Sequence, residues 1–453
     1  MEEKKVYELT PAQDVVYLQS KLSIHKNVVN IVSSLSLDEE IDFELLKKAF
    51  NKVVERNDCL RIRFFKKGKK LLQCFEEKRE LANILVHNFN TEEEQNEFIS
   101  KFVKSPIRYL KGVVVEPIFI KTFDGKSMVL MKVCHLVLDI YGINIIYKDL
   151  FDVYKAIKKG EDLPATPVQF ETLIESDLKK KNDESFNEKN KEFFTEYLSS
   201  KENPYYAGVH GEENNIWQKQ KRKGRHAMKL FLFKNQTKGY SKHIEKDLTS
   251  RIMKYCEETK QSPANFLFYV MSITASRLNG DVKNMLPMEL CNCRGTVQTK
   301  KCAGTKAQSI LCYTTINYDK SFNENFDAFV KSQNTLYRHI GYSDLEVQSL
   351  LHKYYKSSYL EIYYGIAYSF LPIAMPKGSQ FMVYSNGYGA LPCYVAQLYR
   401  VEEGDIIMAY DAQVKLIGQK EIDKFHNKYI SILNQILENP NNILNDVRNE
   451  ENL

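Results

Sequence analysis

The segment Val133-Cys134-His135-Leu136-Val137-Leu138-Asp139-Ile140-Tyr141-Gly142 sets a histidine and an aspartate four residues apart. Neutral imidazole accepts a proton near pH 7, so a histidine that faces a cavity can serve as a general base. The apolar run Met128-Val129-Leu130-Met131 before it reads as a buried strand. After it, Ile143, Ile146, Tyr147, Leu150, Val153, Tyr154 and Ile157 recur at spacings of three and four, which predicts a helix. The pair therefore falls on a strand-to-helix turn. A structural reading competes with the chemical one: His135 as a satisfied core histidine and Asp139 as the helix N-cap.

The elements around this turn can be placed from local chemistry. Thr10-Pro11-Ala12-Gln13 has a capping threonine, a proline at the first helical position and a box partner, and so starts a helix. A strand is expected over 28–35, then a helix from Asp42 with Leu46, Ala49, Phe50 and Val53 on its apolar face. That helix ends near Asn57-Asp58, and a strand begins at Leu60-Arg61-Ile62-Arg63-Phe64-Phe65. Two prolines in Pro164-Ala165-Thr166-Pro167 suggest a linker, followed by a polar helix over 185–200. In the second half Ser262-Pro263 opens a long apolar helix over 266–278 that Asn279-Gly280 ends, and a strand is expected over 282–290. The terminal helix carries Ile422, Phe425, Tyr429, Leu433 and Ile436 on one face.

Composition narrows the function classes. A chain of 453 residues is too long for one compact core and predicts two lobes, with the first ending near residue 175 and the second covering 176–453. No apolar run reaches the length of a membrane span, and Met1-Glu2-Glu3-Lys4-Lys5 does not start a signal peptide. Nine cysteines, an odd number without paired spacing, point to reduced thiols and a cytoplasmic location. Cys291-x-Cys293, with Cys302 and Cys312, lacks the two-residue gaps of zinc sites, so no metal is expected. The net charge of +6 is modest. The densest basic run, Lys219 to His226, reads as a solvated loop, and no recognisable module supports nucleic-acid binding.

Cys134-His135-Leu136-Val137-Leu138-Asp139-Ile140 resembles the Met-His-His-x-x-x-Asp-Gly motif of the condensation domains of nonribosomal peptide synthetases. The wider superfamily of those domains includes chloramphenicol acetyltransferase. The second His and the Asp match; Cys134 replaces the first His and Ile140 the Gly. The opening helix resembles the family's Ser/Thr-x-x-Gln start. Arg56-Asn57-Asp58-Cys59-Leu60-Arg61-Ile62-Arg63-Phe64 keeps the first Arg, the Leu, the second Arg and the Phe of its next motif, which look structural. Phe170-Glu171 is a trace of a third. Asn292-Cys293-Arg294 stands where the family has an Asn-Arg-like pair whose Arg binds the motif Asp, which makes Arg294 the candidate partner of Asp139. Gln308 to Asn317 and His339 to Glu346 occupy the places of two later motifs, with His339 expected to be a surface or packing residue.

The resemblance runs from about Leu9 to about Leu437. It implies an α/β fold of two chloramphenicol-acetyltransferase-like sandwich lobes, arranged as a V-shaped pseudo-dimer with a tunnel between them. The implied activity is that of a free-standing acyltransferase with no permanently bound cofactor. It would join an acyl or aminoacyl thioester, carried on the phosphopantetheine arm of a carrier protein supplied in trans, to an amine or alcohol. His135 would position and deprotonate the nucleophile, while Asp139, held by Arg294, would support the loop. Cys134 is expected to be a buried small hydrophobe rather than a nucleophile. Ile140 is the more serious departure, and Gly142 is expected to supply the flexibility it removes. A non-catalytic carrier-binding scaffold and a coenzyme A-dependent acyltransferase remain alternatives.

Overall fold

Thr10 and Gln13 start the first helix, Pro11–Leu22, by reciprocal bonds. Thr10 Oγ1 accepts the Gln13 N–H at 3.3 Å, and Gln13 Oε1 accepts the Thr10 N–H at 3.0 Å. In the computed structural model, residues 5–81, 83–214, 226–229, 235–376 and 378–447 are described. Of the basic run, Lys219 to Arg225 lie outside the described residues.

Contacts divide the chain into two compact units. The first comprises Met1–Asp183, Asn292–Ala307 and Ile373–Gly387, and the second Glu184–Cys291, Gln308–Pro372 and Tyr388–Leu453. The expected division at residue 175 differs in that the first unit continues to Asp183 and takes back two later segments. One of them holds a strand of its sheet, and the other carries Arg294.

The first unit is built on a sheet of five strands in the order Gln380–Tyr384, Asn30–Leu37, Ser127–Cys134, Val115–Lys121 and Leu85–Asn88. All neighbours are antiparallel except the last pair. The helix Glu92–Lys104 lays Ile99 and Val103 on Val32, Ile118, Ile120, Met128 and Leu130. Strand Ser127–Cys134 is buried at every position, as the apolar run Met128–Met131 predicts for its middle, and the buried Lys132 is paired with Glu116 at 2.6 Å. The helix that follows, Ile140–Lys159, packs against the helix Phe43–Arg56. Its Tyr147 hydroxyl is bound to the sheet, donating to the carbonyls of Ser33 (3.0 Å) or Val129 (3.3 Å).

The charges at 56–58 lie inside the fold rather than over a surface turn. Arg56 is buried and donates to the carbonyls of Pro164 (2.9 Å) and Ala165 (2.6 Å), while its Nε lies 3.2 Å from Asp149. Asp58 accepts the N–H groups of Phe170 (2.7 Å) and Glu171 (2.8 Å) and so caps the helix Phe170–Lys181. The linker is thereby tied down at both ends.

The second unit carries a six-stranded sheet in the order Gln308–Leu311, Met288–Cys291, Ala367–Ile373, Cys393–Arg400, Asp405–Gln413 and Thr237–Ile244. Its central helix, Pro263–Leu278, is buried from Asn265 to Ser276. The helix Gln419–Glu438 packs on it, and Tyr429 donates to the Leu267 carbonyl at 3.1 Å while accepting from Gln397 at 3.0 Å. His339 has a packing role here: its ring stacks on Phe193 with centroids 3.5 Å apart, and Nδ1 meets Asn190 Oδ1 at 2.8 Å.

One buried carboxyl in this unit sets a pH dependence. Glu289 accepts from Gln333 (2.6 Å) and from the Tyr337 hydroxyl (2.9 Å). Burial nonetheless pushes its pKa from 4.5 to about 7. A folded-state value above the unfolded one gives stability that is complete below pH 4.5 and lost as pH rises through about 7. Glu289→Gln is therefore expected to flatten the decline in stability between pH 5 and pH 8, as read by urea denaturation. Parallel declines in the two proteins would contradict that expectation.

Candidate functional site

The strand Ser127–Cys134 ends at Cys134, and the chain then folds back at once: the Cys134 carbonyl accepts the N–H groups of Val137 (2.8 Å) and Leu138 (3.2 Å). Leu136, Val137 and Leu138 are fully buried and anchor the turn in the unit's interior. Two further bonds hold its backbone. The His135 N–H donates to the Val29 carbonyl at 2.7 Å, and Gln13 Nε2 donates to the Leu136 carbonyl at 2.8 Å. Gln13 thus caps the first helix with one end and secures the turn with the other.

Asp139 is the N-cap of the helix Ile140–Lys159, with Oδ1 accepting the Gly142 N–H at 2.7 Å. It is also the partner of Arg294. The guanidinium meets it bidentately, Nη1 to Oδ2 at 2.9 Å and Nη2 to Oδ1 at 3.1 Å. Oδ2 further accepts the N–H groups of Lys306 (2.9 Å) and Ala307 (3.1 Å). The capping and pairing readings of Asp139 therefore both apply. Burial by itself would raise the pKa of this carboxyl, but the Arg294 charge and the converging donors outweigh it and hold the pKa below the ordinary value.

Arg294 reaches this position from a strained turn. Cys293 has φ of 53°, in the left-handed region that disfavours residues with a Cβ. Asn292 supports the turn: its Oδ1 accepts the Arg294 N–H at 3.0 Å, and its carbonyl accepts Nη1 at 3.0 Å. The guanidinium also donates to the Gly304 carbonyl at 2.5 Å and lies over the Tyr141 ring, 4.7 Å from its centre.

His135 is deep-set yet keeps part of its surface open. Its Nδ1 is enclosed and has no hydrogen-bond partner among the described residues. Burial draws the imidazole pKa below its usual value, opposed by the Asp139 charge and by the carbonyls of His135 and Leu138. The ring is therefore neutral at pH 7. Cys134 is fully buried, and burial pushes its thiol up to about 12, leaving no thiolate for nucleophilic attack.

Two expectations about glycine need correction. Ile140 is the first residue of a regular helix and is not among the described residues with positive φ, so that position requires no glycine. Gly142 lies inside the same helix and supplies close approach rather than flexibility. A Cβ there would stand 3.0 Å from the Gly304 backbone nitrogen and 3.0 Å from a Leu138 methyl.

The residues that reasoning from the sequence missed lie between Gly304 and Ala307. Thr305 Oγ1 donates to the His135 carbonyl at 2.5 Å, Lys306 and Ala307 supply backbone donors to Asp139, and Lys306 Nζ pairs with Asp177 at 2.7 Å. Gly304 has φ of 142°, and a Cβ on it would run into the Phe170 ring. The sequence signal was limited to a turn-forming Ala303-Gly304-Thr305. Among the described residues, no group of three or more His, Cys, Asp or Glu side chains is arranged to hold a metal ion, and no helix is long and apolar enough to cross a membrane.

Removing Arg294 would strand a buried carboxylate. Arg294→Ala is expected to lower unfolding free energy by about 3–5 kcal/mol, whereas Asp139→Asn/Arg294→Met should lose less than the sum of its single variants. Chemical denaturation of these proteins measures this, and strict additivity would show that the two groups are not coupled.

The chain matches the family model described as the condensation domain over residues 3–362. It is 21% identical over 452 residues to one of the plipastatin synthase subunits of Bacillus subtilis (strain 168), covering 97% of this chain and 17% of that protein. The chain thus spans less than a fifth of the length of the curated relatives it matches. Among solved structures, a variant of the starter condensation domain of rhizomide synthetase in complex with C8-CoA superposes with a TM-score of 0.80. The identity is 13%, and 98% of each chain is covered. The first condensation domain of the calcium-dependent antibiotic synthetase, with a substrate analogue, gives 0.79 at 14% identity, again covering 98% of each chain. A turn presenting His135 over a capped and paired Asp139, on this two-unit α/β fold and with a family match across most of the sequence, makes the chain a member of the condensation-domain family.

Proposed function

We propose that this protein is a condensation-type acyltransferase. It joins an acyl or aminoacyl group, delivered as a thioester on the phosphopantetheine arm of a carrier protein in trans, to an amine or alcohol acceptor. The observation that carries this reading is the state of His135: a neutral, partly open imidazole on a turn whose backbone and neighbouring carboxylate are fixed by hydrogen bonds. The carbonyls of His135 and Leu138 bear on the ring, and in the reading proposed here the enclosed Nδ1 carries the proton. Nε2 then holds the lone pair.

In the proposed reaction Nε2 accepts the proton of the attacking amine or alcohol as the nucleophile adds to the thioester carbonyl. The tetrahedral intermediate collapses with breakage of the C–S bond, and the thiol of the carrier arm leaves with a proton returned by the imidazolium. Asp139 stays ionised against Arg294 and takes no proton. No acyl-enzyme is formed, in keeping with a Cys134 thiol held neutral by burial.

A second reading is favoured by one observation: the solved starter condensation domain is complexed with C8-CoA. In that reading the donor for this chain is a coenzyme A thioester in place of a carrier-bound one. Acyl groups loaded on carrier proteins and on coenzyme A, offered with amine and alcohol acceptors and followed by mass spectrometry, separate the two. Product from carrier-bound donors alone supports the first, and product from coenzyme A donors supports the second. Binding of carriers without product from any donor would leave a scaffold.

His135→Ala is expected to lower kcat by about 100-fold or more, since positioned general bases contribute on the order of 10²–10⁴. With a depressed pKa, the base is lost only as pH falls. With an alcohol acceptor, which does not itself titrate in this range, the kcat/KM profile should be flat near pH 7 and drop on the acid side with its midpoint below 6.5. Undiminished turnover in the alanine variant, or a midpoint above 6.5, would reject His135 as the base.

A further inference from the structure

No side chain among the described residues orients the imidazole of His135, and the local carbonyls of His135 and Leu138 bear on the ring. Its Nδ1 has no hydrogen-bond partner among the described residues, and Asp139 is fully engaged by Arg294, Gly142, Lys306 and Ala307. The direction of the ring therefore depends on the local backbone, which both carries it and supplies the carbonyls that bear on it. That backbone has two polar attachments of its own. The His135 N–H is bound to the carbonyl of Val29, the residue just before the neighbouring strand Asn30–Leu37. The His135 carbonyl is bound by the hydroxyl of Thr305, a residue 170 positions away and 1% exposed.

Thr305 is itself set in place by its neighbours. Gly304 adopts φ of 142° with the Phe170 ring against its Cα, a position closed to any side chain, and its carbonyl receives Arg294. Lys306 and Ala307 bind Asp139 through their backbone N–H groups. With residues 304, 306 and 307 all fastened, the Thr305 hydroxyl is directed at a single acceptor. A bare carbonyl at this buried point would also leave an unpaired acceptor beside the ring.

We propose that Thr305 is a positioning residue for His135, its hydroxyl holding the peptide between His135 and Leu136 so that the imidazole points at the reacting proton. The inference rests on the catalytic reading of His135 for its kinetic consequence, but its structural content stands apart from activity. Valine at 305 keeps the shape and removes the donor; serine keeps the donor and removes a methyl. In Thr305→Val, kcat should fall about tenfold or more with KM for the donor unchanged, because small misplacements of a catalytic group act on the transition state. Thr305→Ser should return kcat to within about threefold of the parent.

An arm that needs no turnover accompanies the kinetics. In protein labelled with 15N-histidine, the His135 ring signals are assigned by their loss in His135→Gln, and their positions and titration midpoint are followed in the two Thr305 variants. Displaced ring signals and a moved midpoint in Thr305→Val, restored in Thr305→Ser, support the proposal. Unchanged ring signals in Thr305→Val overturn it whatever the kinetics. In the kinetic arm, an unchanged kcat, or a loss that serine does not rescue, also overturns it. If the parent protein turns over no donor, the acyltransfer reading fails and the ring signals alone decide the role of Thr305. Should the valine variant not fold, Thr305→Ala and Thr305→Ser are compared by the same signals.

Discussion

The Asp139 carboxylate is the point on which the site's geometry depends. A charge in so enclosed a place is tolerated only when its lone pairs are filled. Here they are filled by donors from three separate stretches of chain: Gly142 in the following helix, Arg294 beyond the strained Cys293, and the backbone at Lys306 and Ala307. None of these donors can be withdrawn without exposing the others to an unbalanced charge. The carboxylate thus acts as a helix cap and as a tie between the segment Asn292–Ala307 and the rest of the first unit.

A buried ion pair of this kind contributes little net stability compared with a well-packed apolar pair, because both partners are desolvated. Its value lies in what it excludes. A bidentate guanidinium accepts few geometries, and each alternative placement of Arg294 leaves a charge unpaired. The same logic explains why the chain tolerates a left-handed Cys293 and a crowded Gly304. Strain there is offset by the bonds it allows, and the Gly304–Ala307 backbone is brought against the turn that bears His135. The backbone of that turn is fixed by Val29, Gln13 and Thr305, and the carbonyls that bear on the imidazole belong to the same turn.

What could be read from the sequence follows from how local each signal is. The cap at Thr10 and Gln13, the proline-led helix at 263 and the buried strand before Cys134 are written within a few residues, and each appears where it was expected. The pairing of Asp139 with Arg294 spans 155 residues and became legible only through family resemblance. Thr305 left no trace, since one hydroxyl donating to one carbonyl imposes no periodicity and no composition. The return of Gln380–Tyr384 to pair with Asn30–Leu37 was equally hidden: edge pairing is set by backbone groups that every residue possesses. Arg56 and Asp58 are buried, although charge suggests surface. Their partners are backbone groups of the linker, which no residue pattern marks.

The two departures from the family motif each have a local structural setting in this chain. Cys134 closes a strand that is buried along its whole length, and its thiol is held neutral. A second imidazole at that place would need its own buried partners, whereas cysteine, a small apolar residue with a weak donor, needs none. Ile140 begins the helix after its cap, where a β-branched residue meets ordinary helical dihedrals and lies partly in the open. The glycine on which close contact depends is Gly142, one helical position from Ile143 and directly against Gly304. The backbone approaches closely beside the paired carboxylate. In this chain the close approach is made by Gly142 and Gly304, while Ile140 keeps helical dihedrals.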